Sequence, residues 1–148
     1  MILLDTNVVS ELRRAATGRI DPNVAAWAAS IEFLPLSISV LTIMELRKSV
    51  LAKQRHDPVQ AAVLDRWLDH NVRVRFKSAT LPVDDDVAER CAALHVPVER
   101  APVDALIAAT ALVHNLTLAT RNTRDFADTG VRLVNPWDYR VGTGSAPE

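Results

Sequence analysis

Short apolar runs alternate with segments of helical periodicity along this 148-residue chain, and this alternation constrains the fold more than any other feature. Strands are expected at Ile2 to Leu4, Leu34 to Leu41, Val72 to Phe76, Leu116 to Thr120 and Val131 to Val134. Strands separated by helices favour a parallel sheet that is covered on both faces and joined by right-handed crossovers. We therefore expect an α/β fold.

Helix signals fill the intervals between these runs. Thr6 and Asn7 offer N-cap chemistry for a short helix that ends near Arg14, and residues 22–33 form the next one. Thr42 and Glu45 have the spacing of a capping box, which predicts a helix after the second strand. Further helices are expected around Ala61 to Leu68, after Asp84 to Asp86, and from Pro102 to near Asn115.

Composition excludes several classes of protein. The hydrophobic fraction is 49%, which is too high for a disordered chain, and no apolar stretch approaches the ~20 residues of a membrane-spanning helix. The start of the chain does not have the basic region of a signal peptide. We expect a soluble, cytoplasmic protein with one domain over residues 1–140 and a disordered tail over 141–148. With one cysteine, Cys91, and four unclustered histidines, a zinc site or thiol chemistry is not expected.

Charge balance sets a condition on any nucleic-acid partner. Seventeen Lys and Arg residues face eighteen Asp and Glu residues, so the net charge is −1. Proteins that hold nucleic acid on their own usually carry a clear positive patch. Binding of nucleic acid would therefore depend on a local group of basic residues.

Four acids fall where the rule for parallel sheets predicts a site. Asp5 ends the first strand, Glu45 and Asp104 lie in the first turns of two helices, and Asp125 follows the strand that ends at Thr120. Ligands bind beyond the carboxyl ends of such strands. Carboxylates brought together repel one another unless a cation compensates, and oxygen ligands suit Mg²⁺ or Mn²⁺. A metal-activated water would then hydrolyse a phosphodiester with no side-chain nucleophile.

Four blocks of sequence carry a resemblance to a known family. MILLDTNVVSEL, LSISVLTIMEL, APVDALIAATALVHNLTLATRNTRDF and VRLVNPW occur in that order and span nearly the whole chain. Together they resemble the PIN-domain ribonucleases, specifically the VapC and FitB-like toxins of toxin–antitoxin pairs. The resemblance implies a three-layer α/β/α sandwich around a parallel, roughly five-stranded sheet. It also implies Mg²⁺- or Mn²⁺-dependent cleavage of RNA, a homodimer, and a cognate antitoxin that blocks the site and can carry the pair onto operator DNA.

Residue by residue, the resemblance assigns catalytic positions to four acids. Asp5 and Asp104 match direct metal ligands, while Glu45 ligates through water or helps to activate the attacking water. Many relatives have Asp where this chain has Asn122, so Asp125 takes or shares the fourth position and tunes the site. Whether one metal or two is bound stays open.

Neutral and basic residues beside these acids are candidates for support and for RNA binding. Side chains that can orient carboxylates or waters are Thr6, Asn7, Thr120 and Asn122. Candidates for RNA phosphates are Arg13, Arg14, Arg121 and Arg124. Trp27, Trp67 and Trp137 can stack on bases, although packing is the favoured interpretation for each.

Other interpretations stay open at this stage. Glu45 can be only the capping partner of Thr42, Asp104 only a favourable charge at a helix start, and Asp125 only a turn residue. A phosphatase with Asp5 as nucleophile is disfavoured because the second Asp that such enzymes use is Asn7 here. A non-catalytic module that binds nucleic acid or a partner through the same acids is the alternative from another class.

Overall fold

A parallel sheet lies at the centre of the protein, as given by a computed structural model that describes residues 1–142. Its five strands have the order β3-β2-β1-β4-β5. They are β1 (Ile2–Leu4), β2 (Leu36–Ser39), β3 (Thr80–Leu81), β4 (Thr117–Ala119) and β5 (Leu133–Val134). The predicted parallel sheet is thus confirmed, with the first strand of the chain at its middle.

Helices connect the strands and cover both faces. They are α1 (Thr6–Arg13), α2 (Pro22–Ser30), α3 (Val40–Gln54), α4 (Pro58–Trp67), α5 (Arg73–Arg75), α6 (Asp85–Leu94), α7 (Pro102–Val113) and α8 (Thr123–Phe126). A π-helical stretch, Leu68–Val72, joins α4 to α5. No helix within residues 1–142 is long and apolar enough to cross a membrane.

Side chains of β1 divide between two apolar cores. Ile2 and Leu4 pack in a cluster with residues of α1, α2 and α3, whereas Leu3 packs with Ile107 of α7 and Phe126 of α8. Successive side chains of a strand point to opposite faces, so three apolar residues in a row belong to a strand that is covered on both sides. This arrangement is the predicted three-layer α/β/α sandwich.

The prediction of a strand from Val72 to Phe76 is wrong. This segment is helical, and the third strand is Thr80–Leu81 instead. Leu68, Val72 and Phe76 are buried at a spacing of four residues, whereas Val74 between them is 65% exposed. Val72 and Phe76 can lie on the same face of either a strand or a helix. Leu68 is also buried four residues before Val72, and this spacing of four favours the helix.

Two helix caps also differ from the prediction. Asp5, and not Thr6 or Asn7, caps α1, because its carboxylate accepts the Thr6 N–H. Ser39 caps α3 through the Leu41 N–H, so the capping box between Thr42 and Glu45 does not exist.

Most other boundaries are narrower than predicted, since α2 ends at Ser30 and β2 spans Leu36–Ser39. The predicted tail over 141–148 lies, from residue 143 onward, outside the described residues.

Candidate active site

Asp5 lies at the carboxyl end of β1 and is only 6% exposed. Its Oδ1 accepts the Thr6 N–H at 2.8 Å, and its Oδ2 accepts from the Thr120 hydroxyl at 2.8 Å and from Asn7 Nδ2 at 3.3 Å. Burial raises the pKa of Asp5, and the charge of Asp125 adds to the rise, against the hydrogen bonds that favour the carboxylate. Hydrogen bonds therefore hold the Asp5 carboxylate in one orientation, and no cationic side chain is among the groups that shift its pKa.

Glu45 is held by a contact from another element. The Thr6 hydroxyl donates to Glu45 Oε1 at 2.7 Å and also hydrogen-bonds with Thr42 Oγ1 at 3.0 Å. Thr42 is fully buried in α3 and joins this contact instead of capping the helix. Glu45 is thus oriented by the first turn of α1, which also carries the cap formed by Asp5.

Asp104 lies in the first turn of α7 and is half-buried. Burial raises its pKa most, and the charges of Asp5, Asp125 and Glu45 raise it further, in that order. Each of the other three acids therefore acts on Asp104, which means that carboxylates from α3, α7, α8 and the end of β1 share one region.

Asp125 and Asn122 lie around the short helix α8. Asn122 is its N-cap residue, although its side chain makes no capping bond, and Asp125 is exposed in the first turn. The charge of Asp125 acts on both Asp5 and Asp104. Of the two candidates for the fourth acid position, Asp125 is the one that contributes negative charge to the site.

These four acids, Asp5, Glu45, Asp104 and Asp125, are called the carboxylate site below. They interact as charges without forming a closed shell of ligands. Across the described part of the chain, no three Asp, Glu, His or Cys side chains lie close enough together to hold one metal ion.

Asn7 and Thr120 connect the carboxylate site to β4. Asn7 Oδ1 accepts the Arg121 N–H at 3.1 Å, while its Nδ2 reaches Asp5 and, at 3.4 Å, the Thr120 hydroxyl. Thr120 is fully buried, and its hydroxyl also accepts the Asn122 N–H at 3.0 Å. Four predicted supporting residues, Thr6, Asn7, Thr120 and Asn122, thus lie in one hydrogen-bonded network.

Three of the four candidate arginines meet beside this network. Arg13, Arg14 and Arg121 line a single cavity together with Asn7. Arg124 is exposed on α8 and does not line it.

A model of the PIN domain matches residues 2–131. The chain belongs to the PIN-domain family. Toxin FitB of Neisseria gonorrhoeae is 36% identical over 93% of this chain and 99% of its own length. VapC ribonuclease Y4jK of Sinorhizobium fredii is 32% identical over the same shares of the two chains. The structure of FitAB bound to an IR36 DNA fragment superimposes with a TM-score of 0.83 at 33% identity, over 95% of this chain and 98% of the other.

One acid of this PIN domain was missed by the sequence analysis. Glu11 is only 9% exposed on α1, where its Oε1 accepts the Asp21 N–H at 2.8 Å and its Oε2 pairs with Arg14 at 3.3 Å. The i, i+3 spacing of Glu11 and Arg14 indicates the ion pair. The bond to Asp21 has no sequence signal, because it depends on how the chain turns back after α1.

Proposed function

We propose that this PIN-domain protein is a Mg²⁺- or Mn²⁺-dependent endoribonuclease that acts as the toxin of a toxin–antitoxin pair. The observation that carries the proposal is the carboxylate site, in which burial and the charges of three other acids raise the pKa of Asp104 at the carboxyl edge of the sheet. Relatives that align over nearly their whole length, a FitB toxin and a VapC ribonuclease, support the substrate class and the role.

The side chains of the carboxylate site fit a hard divalent cation. Every candidate ligand is an oxygen donor, and burial, together with the charges of neighbouring acids, raises the pKa of Asp5 and of Asp104. Asp5 and Asp104 would hold the ion. When bound, such an ion polarises a phosphoryl oxygen and makes a water molecule more acidic.

The remaining groups position and move protons. Glu45, which the Thr6 hydroxyl orients, would accept the proton of the attacking water. Thr120 and Asn7 hold the Asp5 carboxylate in one orientation, which keeps the reacting groups aligned. Asp125 adds charge at the exposed side of the site and tunes its affinity for the cation.

A cleavage assay on structured RNAs tests this function. Wild-type protein should cut RNA with Mg²⁺ or Mn²⁺ and stop when EDTA is added, whereas the D5N and D104N variants should be inactive with either ion. Circular dichroism of both variants establishes that they are folded. Cleavage that survives EDTA, or survives both substitutions, would contradict the metal-dependent mechanism.

The same charges suggest how a partner could silence the protein. An antitoxin that inserts an arginine would replace the charge of the cation and pair bidentately with a carboxylate. We further propose that the active species is a homodimer and that the antitoxin carries the pair onto operator DNA, in line with the FitAB complex on DNA.

Expression in bacteria tests the toxin role. Growth should stop when the protein is produced alone and should resume when the neighbouring reading frame is expressed with it. The D104N variant is the matched control and should not affect growth. Absence of arrest in every host would leave a nuclease without a toxin role, and sedimentation of the purified protein at the mass of a monomer would contradict the dimer.

A further inference from the structure

We propose that the cavity beside the carboxylate site binds one nucleotide of a single-stranded RNA, with its arginines on phosphate and its arginine–tryptophan pairs against the base. The inference rests on the proposed ribonuclease function and adds to it a subsite that holds the nucleotide next to the cleaved bond. This arginine cavity is lined by Arg13, Arg14, Arg121, Trp67 and Trp137, among others.

The arginine cavity lies directly beside the carboxylate site. Asn7 lines the cavity and also donates to Asp5 Oδ2. Arg121 lines it from the other side, and its N–H donates to Asn7 Oδ1. The side chain of Asn7 thus lies between the arginine cavity and the carboxylate site. Adjacent nucleotides of one RNA strand can therefore occupy the cavity and the site together. The cavity volume of about 370 Å³ lies within the range of small-molecule sites, which is ~300–1,000 Å³.

Charge within the cavity is opposite to that of the carboxylate site. Arg13, Arg14 and Arg121 line it, and Glu11 is the acid that faces them. Glu11 pairs with Arg14 alone, which leaves the guanidiniums of Arg13 and Arg121 for a ligand. Because a guanidinium binds phosphate bidentately, such a cavity suits an anion that the neighbouring acids would repel.

Two of these guanidiniums lie over indole rings. The Cζ atom of Arg13 is 5.7 Å from the centre of the Trp67 ring, and that of Arg121 is 5.0 Å from the centre of the Trp137 ring. Both distances are within cation–π range. A guanidinium plane supported by a ring on one side offers its other side to a nucleobase, and such stacking is a common mode of binding to unpaired RNA.

Both tryptophans are fixed by their surroundings. The backbone of Trp137 donates to Asn135 Oδ1 at 3.0 Å and accepts from Asn23 Nδ2 at 2.8 Å. Trp67 is partly buried at the end of α4 and packs against the core that contains β1. Trp137 packs against the same core, so both rings are positioned before a base enters the cavity.

RNA fits these features better than a protein partner does. A protein partner would insert a carboxylate or an apolar side chain. Neither of these groups needs an arginine that lies over a tryptophan ring, as Arg13 and Arg121 do. A nucleotide has both a phosphate and a planar base within one unit. The position next to the carboxylate site also places that unit beside the bond to be cut.

Binding of short oligonucleotides tests the subsite without cleavage. The probes are rU8, rA8 and an octamer of abasic ribose that carries the same phosphates, each titrated into the D104N variant by fluorescence anisotropy. The octamers with bases should bind about tenfold more tightly than the abasic octamer. They should also quench tryptophan emission, and W67F and W137F should each lose part of that quenching.

Arginine variants separate this cavity from general attraction to charge. The double variant R13Q/R121Q should bind rU8 about tenfold more weakly, and the slope of log K against log salt should fall by about 1.4. R90Q, on the exposed surface of α6, is the control for a single lost charge and should bind as the parent does.

Several outcomes would overturn the inference. Equal affinity for abasic and base-carrying octamers would mean that only phosphate is bound, and R13Q/R121Q equal to R90Q would mean that the cavity is not used. If R13Q/R121Q bound RNA normally but lost the antitoxin, the cavity would be a protein-binding site. Cleavage of RNA by a protein that binds base-carrying and abasic octamers equally would reject the subsite and keep the ribonuclease, whereas tighter binding of base-carrying octamers without cleavage would keep the subsite and reject the ribonuclease.

Discussion

Two groups of acids in this protein differ in what surrounds them. Asp84, Asp85 and Asp86 lie side by side at the start of α6 and are all exposed. Asp5 and Asp104 are 99 positions apart in the sequence, yet burial raises the pKa of both and the charge of other acids raises it further. Proximity in the sequence thus says little about which acids interact; placement at the carboxyl edge of the sheet decides it.

The contrast has a physical cause. Water and the positive end of a helix stabilise Asp84 to Asp86, and Asp84 caps α6 by accepting the Val87 N–H at 3.0 Å. At the carboxylate site, burial removes water from Asp5 and in part from Asp104, and the nearby charges have the same sign. The first group stabilises a helix, whereas the second stores electrostatic repulsion that a cation can relieve.

The largest difference is expected on adding metal. Mg²⁺ at a hundred times its dissociation constant should stabilise the wild-type protein by about 2.7 kcal/mol, which raises the melting temperature by about 5–10 °C. D104N should lose most of this shift, and D85N should keep it. Differential scanning fluorimetry measures all three proteins, and an equal shift in D104N and wild type would mean that the ion binds elsewhere.

The contact between Thr6 and Glu45 should matter next. T6V retains the shape of the side chain but removes the hydroxyl that orients Glu45, so kcat for RNA cleavage should fall by about 10- to 100-fold. T17V removes a hydroxyl that bonds only to a nearby backbone carbonyl and should leave kcat unchanged. A normal kcat for T6V would show that Glu45 needs no such support.

The exposed acids should affect stability alone. D84A removes the cap of α6 and should lower the free energy of unfolding by about 1 kcal/mol, with ribonuclease activity unchanged. D86A, which removes an exposed acid from the same run, should cost less. Urea unfolding of both variants measures the difference, and a loss of activity in D84A would place this run in the functional site.

The smallest effect is expected on pH dependence without metal. Asp104 has a raised pKa in the folded state, so the folded protein binds this proton more tightly than the unfolded chain does. Its contribution to stability is present below the unfolded pKa and is lost as pH rises through the folded pKa. D104N should therefore gain stability relative to wild type in EDTA as the pH rises from about 4, the ordinary pKa of an unfolded Asp, towards neutral. Thermal melts measure this gain, and a constant difference across that range would contradict it.

Much of the fold follows from the sequence. The apolar run from Ile2 to Leu4 can be satisfied only inside a sheet covered on both faces, and the alanine-rich segment after Pro102 is a helix as predicted. The edge rule for parallel sheets then predicts one region for acids that are far apart in the sequence. This rule depends on the order and direction of the strands and not on side-chain contacts, so it can be applied from the sequence alone.

What the sequence did not predict depends on contacts between distant segments. The segment from Val72 to Phe76 suits a strand or a helix until Leu68 is seen to share its buried side. Trp67 reaches the arginine cavity from α4, and no spacing in the sequence links it to Arg13. The spacing of Glu45 from Thr42 also fits a capping residue, because local spacing cannot reveal the contact with the Thr6 hydroxyl.

Strand β1 has a consequence for the synthesis of the protein. It is synthesised before β4, yet one of the hydrogen bonds that fix Asp5 comes from Thr120, 115 positions later. A partner so distant must wait for a long loop to close. A chain whose translation is interrupted before β4 therefore has Asp5 without the Thr120 hydroxyl, and the hydrogen-bonded network around Asp5 is complete only after β4 has been made.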